Sequence, residues 1–217
     1  MLLDPTRPFR GSTAVATGRV TPGVLRGPRF RRLFPDVYVT ADVEVDLALR
    51  ARAAYLLVEG RGFVGGYAAA ELLGASCGPA DAPVDLRVPG RAYRARPGLV
   101  IHRGLLAPDE TTTVDGVGVT TPARTALDLA CGEPPIREAV VALDTLAHVH
   151  GFAPSAVLDL GRRHLGRRGS AHLVTVVRLA DPRAESPMEQ GDEAGARRRT
   201  GPCRSVPRPR PPGTGFG

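Results

Sequence analysis

Four arginines lie close together near the start of the chain: Arg26, Arg29, Arg31 and Arg32. Guanidinium groups at this spacing could contact successive phosphates of DNA, and such contacts supply much of the affinity of protein–DNA binding. The alternative is ordinary solvated surface arginine, because all 29 basic residues of the chain are arginine. The helix predicted at Pro22–Arg26 is very short for reading bases. If these arginines contact DNA, we therefore expect weak sequence specificity.

Arg124 and Asp128 are four residues apart in a segment with helical periodicity. Side chains at this spacing lie on one helix face, where an ion pair is worth ~0.2–0.5 kcal/mol. A role in docking a partner or another domain is the second interpretation. We favour the structural role.

The histidines and cysteines do not have the spacing of a metal site. His148 and His150 point to different sides of a predicted helix, and adding Asp144 and His164 gives no known ligand pattern, so we interpret them as ordinary surface or boundary residues. The three cysteines form no CxxC pair. The sequence therefore predicts no catalytic residue, no metal site and no cofactor.

The composition is that of a basic globular chain, with 217 residues, 42% hydrophobic residues and a net charge of +7. A basic balance favours an anionic partner. Residues 190–217, however, hold six arginines and two acids and so contribute +4 of this charge. No apolar run approaches the ~20 residues of a membrane span, and the first residues do not resemble a signal peptide. We expect a cytoplasmic protein with no membrane partner.

Residues 11–42 are predicted to form a short helical start followed by a hairpin. Thr21 and Pro22 are the residue types preferred at the N-cap and the first position of a helix. Two apolar stretches then flank a Pro35–Asp36 turn, which is typical of a hairpin.

Residues 43–180 are predicted to combine helices with a sheet. The predicted elements are helices at 43–59 and 67–73, a glycine-containing break at 60–66, strands at 84–88 and 99–102, an Asp-Gly hairpin at 111–120, and helices that begin at Pro122, Pro135, Pro154 and Arg168. The strands predict a small antiparallel sheet flanked by helices. The Arg-, Pro- and Gly-rich residues 190–217 contain too little apolar surface to offset their ordering entropy, so we expect a disordered tail there.

Three stretches resemble AbiEi-type antitoxin proteins. Phe30–Val39 resembles the wing of the reduced winged-helix segment that opens many of these proteins. Val119–Ala130 (VTTPARTALDLA) resembles the family signature V-T-T-P-x-R-T-x-x-D-L-A. Ala180–Glu189 (ADPRAESPME) resembles the point where related proteins enter a C-terminal endonuclease domain of the Vsr type.

The signature places Thr121, Pro122, Arg124 and Asp128 among the residues that characterise the family. The resemblance implies a structural or docking role for these four residues.

The resemblance also implies that an intact relative carries a magnesium-dependent PD-(D/E)xK-like site. Cleavage of a phosphodiester by a metal ion requires several carboxylates around the ion. Only Glu189 has a counterpart here, because the chain departs from the family pattern from Gln190 on. We expect residues 181–189 to be a remnant of the nuclease-domain start, and we hypothesise a truncation or frameshift after Glu189.

The expected fold class is therefore α+β, with a reduced winged-helix element at 11–42, the sheet-and-helix module at 43–180 and a disordered tail. The resemblance implies a non-catalytic, DNA-associated, antitoxin-like protein with a regulatory or defence role. Two alternatives stay open: an inactive remnant of a Vsr-like DNA endonuclease, and a protein-interaction module that binds a partner toxin. The expected partners are DNA, through phosphate contacts, and a cognate toxin.

Overall fold

The structure is a computed structural model that describes residues 4, 6–58, 60–90, 93–94, 96–132, 135–164 and 169–180. The expected nuclease remnant at 181–189, with Glu189, and the expected disordered tail at 190–217 lie outside the described residues. The frameshift hypothesis rests on that same part of the chain.

The N-terminal part consists of two short helices and a three-stranded sheet. Its elements are β1 (Phe9–Arg10), α1 (Gly11–Ala16), α2 (Pro22–Arg26), β2 (Phe30–Phe34) and β3 (Val37–Thr40). The strand order is β1-β3-β2, and both pairings are antiparallel. The side chain of Thr21 accepts a hydrogen bond from the amide of Val24, so the predicted N-cap of α2 is confirmed. Asp36 adopts a φ of 60° in the predicted hairpin turn.

A five-stranded sheet forms the centre of the following part. Its helices and strands are α3 (Leu47–Val58), β4 (Phe63–Gly65), α4 (Gly66–Leu72), β5 (Val84–Val88), β6 (Leu99–Arg103), a 3₁₀ turn (Pro108–Glu110), β7 (Thr111–Val114), β8 (Val117–Thr120), α5 (Pro122–Cys131), α6 (Ile136–His150), α7 (Ala156–Arg162) and α8 (Ser170–Ala180). The α+β fold class is confirmed.

The sheet differs from the expected antiparallel one because it is mixed. Its order is β6-β5-β4-β8-β7, and the pairs β5–β6 and β4–β8 are parallel. The central strand β4 lies inside the predicted glycine break, where three residues are too short to show an alternating pattern. The predicted Asp-Gly hairpin is confirmed in β7 and β8, with positive φ at Asp115 and Gly116.

Two hydrophobic clusters hold these elements together. One joins the hairpin, α3 and the apolar face of the sheet, where Val64, Leu86 and Val119 are almost completely buried. The other joins α5 to α6, α7 and α8 around Leu127 and Leu143. The described helices include none with the length and hydropathy needed to cross a membrane.

Candidate functional site

The four candidate DNA-binding arginines lie at the end of α2 and in the hairpin. Arg26, Arg29, Arg31 and Arg32 are all exposed. Among the described residues, no carboxylate forms an ion pair with any of them. Their guanidinium groups are therefore not neutralised by a described carboxylate and are open to an external anion.

Local contacts orient three of these side chains. The guanidinium of Arg29 lies 5.7 Å from the ring centre of Phe30. Arg31 donates to the carbonyl oxygen of Val43 at 2.6 Å, and Arg32 Nε donates to the carbonyl oxygen of Phe34 at 3.3 Å. Since Arg31 and Arg32 are neighbours in a strand, their side chains leave the hairpin on opposite faces.

A second group of charged residues is buried where α5 meets the sheet and the 3₁₀ turn. Arg124 is at its centre and is only 4% exposed. Its Nε donates to Asp128 Oδ1 at 2.9 Å, and its Nη1 lies 2.8 Å from Glu110 Oε2. The predicted pair of Arg124 and Asp128 is therefore present. It is part of a buried ionic network and not a surface ion pair.

The network continues into the sheet and to the end of α7. Arg87 of β5 donates from Nε to Asp128 Oδ2 at 2.6 Å. His164 follows α7 and contacts Glu110 Oε1 through Nε2. Since an ionised carboxylate can only accept, this contact is a hydrogen bond that the imidazole donates. We call Arg87, Glu110, Arg124, Asp128 and His164 the buried ionic network.

Glu110 remains ionised because its partners outweigh the cost of burial. Burial by itself raises the pKa of this carboxyl. Hydrogen bonds from His164 and from the amide of Ala107, together with the charge of Arg124, lower it, and the pKa lies below the ordinary 4.5. The network thus contains paired charges, as a buried site requires.

Asp85 and His102 form a neighbouring pair on the polar face of β5 and β6. Asp85 Oδ1 lies 2.5 Å from His102 Nε2. Asp85 also lies against Gly66, the first residue of α4, where a Cβ atom would come within 2.3 Å of Asp85 Oδ2. The left-handed φ of 58° at Gly66 further restricts that position to glycine.

Thr121 and Pro122 begin the helix that supplies Arg124 and Asp128. Pro122 occupies the first turn, and the amide of Thr121 donates to the carbonyl oxygen of Glu110 at 3.0 Å. Thr121 is the N-cap residue of α5, but its side chain accepts no hydrogen bond from the first turn of the helix. Its backbone bond instead fixes the start of α5 against the 3₁₀ turn.

Sequence reasoning missed Glu110, Arg87 and His164 as members of the network. His164 was interpreted as an ordinary histidine, yet it contacts a carboxylate 54 residues away. One signal was available for Arg87, since it alternates with apolar residues in β5 and therefore lies on a different face from them.

The arginines and the carboxylates of the buried ionic network neutralise one another's charge. Each of its carboxylates lies against an arginine, which competes with any cation for the same oxygens. In the part of the chain that the structure describes, no three histidine, cysteine or acidic side chains are grouped so as to hold a metal ion. The geometry suits a structural joint between α5, the sheet and the end of α7.

Known proteins resemble this chain in fold and in part of its sequence. No curated protein matches the sequence. A crystal structure of the RV2827C protein from Mycobacterium tuberculosis is similar in fold, with a TM-score of 0.53 and 15% identity over 82% of this chain and 73% of that chain. At this identity the likeness concerns the fold alone.

The sequence of residues 64–156 matches the model of the AbiEi antitoxin C-terminal domain. The matched segment contains Arg87, Glu110, Arg124 and Asp128, that is, the whole buried ionic network except His164. Residues 64–156 are thus AbiEi-antitoxin-like.

Proposed function

We propose that the protein is a DNA-associated, AbiEi-antitoxin-like regulator whose N-terminal module, residues 11–42, contacts the phosphate backbone. One observation carries this proposal: Arg26, Arg29, Arg31 and Arg32 are exposed without a carboxylate partner among the described residues. Charge supports it, because residues 1–42 hold seven arginines and three acids. We propose that residues 43–180 form a second module of the protein, which follows the DNA-contacting one.

The exposed position of Arg31 and Arg32 in β2 supports contact with phosphates, which they would bind through their guanidinium groups. The helix α2 has five residues, too few to place many side chains against base edges. Binding is therefore expected to depend on charge more than on sequence, as in a reduced winged helix.

A gel-shift assay with the upstream region of the protein's own gene tests this proposal. We expect a shift at low salt that disappears as the salt concentration rises, because phosphate contacts release counterions. If specificity is weak, an unrelated duplex of equal length should compete at a concentration within a small factor of that needed by the upstream region itself. Absence of any shift at low salt would refute the proposal.

We further propose that the protein is non-catalytic and that a Vsr-like nuclease domain has been lost by truncation or frameshift after Glu189. Among the described residues, the buried carboxylates Glu110 and Asp128 are both paired with Arg124, which supports this proposal. A nicking assay with supercoiled plasmid and Mg²⁺ tests it. Cleavage by the wild-type protein that is abolished in Glu189→Ala would overturn it. Resequencing the locus and translating it in all reading frames tests the frameshift.

A regulatory or defence role implies a cognate toxin as the second partner. A toxin gene beside the locus and protection of cells by co-expression of the two genes would support this role. Failure of the protein to protect cells from a neighbouring toxin would count against it.

A further inference from the structure

A cavity of about 480 Å³ is lined by residues of α1, α2 and β3. Its apolar lining comes from Val15 and Ala16 of α1, Pro22 and Leu25 of α2, and Tyr38 of β3. We call it the α1–α2 cavity. Its volume is within the range of about 300–1,000 Å³ that is usual for ligand-binding clefts.

Close packing fixes the position of Tyr38 in this cavity. The ring of Tyr38 is stacked with that of Phe9, with 6.3 Å between the ring centres and an angle of 28° between the planes. Gly11 lies against both Tyr38 and Leu25, because a Cβ atom there would come within 2.6 Å of Tyr38 Cε2 and 2.7 Å of Leu25 Cδ2. The aromatic and aliphatic side chains that line the cavity are therefore held in place before any ligand binds.

Two of the candidate DNA-binding arginines flank the same cavity. Arg26 is one of its lining residues. Arg32 lies opposite Tyr38 in the antiparallel pair of β2 and β3, so the two side chains leave the sheet on the same face as close neighbours. Neither arginine forms an ion pair with a carboxylate within the part of the chain that the structure describes. Asp36, the acid of the hairpin turn, already lies 3.5 Å from Arg10.

We propose that the α1–α2 cavity accepts an unpaired base of DNA whose phosphates contact Arg26 and Arg32. This inference rests on the proposed DNA contact and adds to it the class of DNA that is bound. A nucleotide supplies both a planar ring for the cavity and a phosphate for the arginines, whereas an apolar side chain of a partner protein would leave both arginines without a counterion. Bases that stack on aromatic side chains beside a cationic groove are the general mode of single-strand binding, which tolerates many sequences.

The cavity can receive only a base that has left the duplex. A paired base is stacked and hydrogen-bonded to its partner, and extruding it costs free energy, least where the nucleotide is already unpaired. The protein should therefore prefer DNA with a bulged nucleotide, or a single strand, to a perfect duplex.

Two labelled duplexes that differ in one base test this inference by fluorescence anisotropy on the full chain. Each carries one bulged nucleotide, which is a thymidine in the first duplex and an abasic residue in the second, so that both have the same number of phosphates. We expect the thymidine duplex to bind about tenfold more tightly, because stacking on an aromatic side chain contributes a factor of about this size.

A variant that fills the cavity tests where the base binds. Ala16→Leu should bring the ratio of the two affinities close to one. The matched control is Thr13→Leu, at an exposed position of α1 that does not line the cavity, and it should keep the ratio. Replacing the four candidate DNA-binding arginines with alanine should instead weaken the binding of both duplexes together.

The outcomes distinguish this inference from the proposed phosphate contact. Equal binding of the two duplexes by the wild type would overturn the base-binding role while the phosphate contact stands. A ratio that has the same value in Ala16→Leu and Thr13→Leu would likewise overturn it, since the base would then not depend on the cavity. Failure to bind any DNA at low salt would overturn both proposals.

Discussion

The guanidinium Nη1 of Arg124 lies 2.8 Å from Oε2 of Glu110, and both side chains are almost completely shielded from water. The two residues belong to α5 and to the 3₁₀ turn before β7, so their contact joins the helical layer to the sheet. A buried charge that loses its partner keeps the cost of desolvation without the attraction. The stability of the joint therefore depends on the pair as a unit.

Replacing Arg124 with methionine should lower the free energy of unfolding by about 3–5 kcal/mol, because Glu110 and Asp128 would both lose a buried partner. Urea denaturation measures this change. Arg162→Met is the matched control, since Arg162 pairs with Asp159 on an exposed face of α7, and it should cost less than about 1 kcal/mol. Equal losses in the two variants would contradict the structural role of the network.

The pH dependence of stability should reveal the ionised state of Glu110. Its pKa in the folded protein lies below the ordinary 4.5, so its stabilising effect is present above that value and is lost as the pH falls through the lower folded pKa. In Glu110→Gln the free energy of unfolding should fall less steeply below pH 4.5 than in the wild type. Asp159→Asn, at an exposed carboxylate, is the control. An unchanged slope in Glu110→Gln would contradict the assignment.

Substitution of Gly66 by alanine should destabilise the protein by roughly 1–3 kcal/mol, because the residue has a left-handed φ and its new Cβ would collide with Asp85. Gly23→Ala in α2 is the control, because a Cβ there has no atom within 4 Å. Alanine at position 23 should be neutral or slightly stabilising. Thermal denaturation distinguishes the two, and a harmless Gly66→Ala would refute the packing argument.

The salt dependence of DNA binding should give the number of phosphates that the N-terminal arginines contact. If Arg26, Arg29, Arg31 and Arg32 each neutralise one phosphate, replacing all four with alanine should reduce the slope of log K against log salt by about 3.6. Arg162→Ala/Arg178→Ala, at exposed arginines outside the N-terminal module, should leave the slope unchanged. The same slope in the quadruple variant would exclude these residues as the contact.

The described fold follows the sequence wherever a signal is local. Thr21 and Pro22 predict the start of α2, and Asp115–Gly116 predicts the turn between β7 and β8, since each depends on the backbone preferences of adjacent residues. The alternation in Val84–Val88 likewise predicts β5, because one of its faces is buried. The signature at Val119–Ala130 lies within residues 64–156, the segment that matches the AbiEi antitoxin domain.

Tertiary structure alone decided which distant residues meet. The sequence placed Arg124 and Asp128 on one helix face, but burial and the contacts with Arg87, Glu110 and His164 arise from the packing of separate elements. The parallel pairing of β4 with β8 and that of β5 with β6 likewise depend on crossover connections, which leave no local sequence pattern. Spacing along the chain reports only neighbours within a few residues, whereas the desolvation that turns a weak helix pair into a joint depends on everything packed around it.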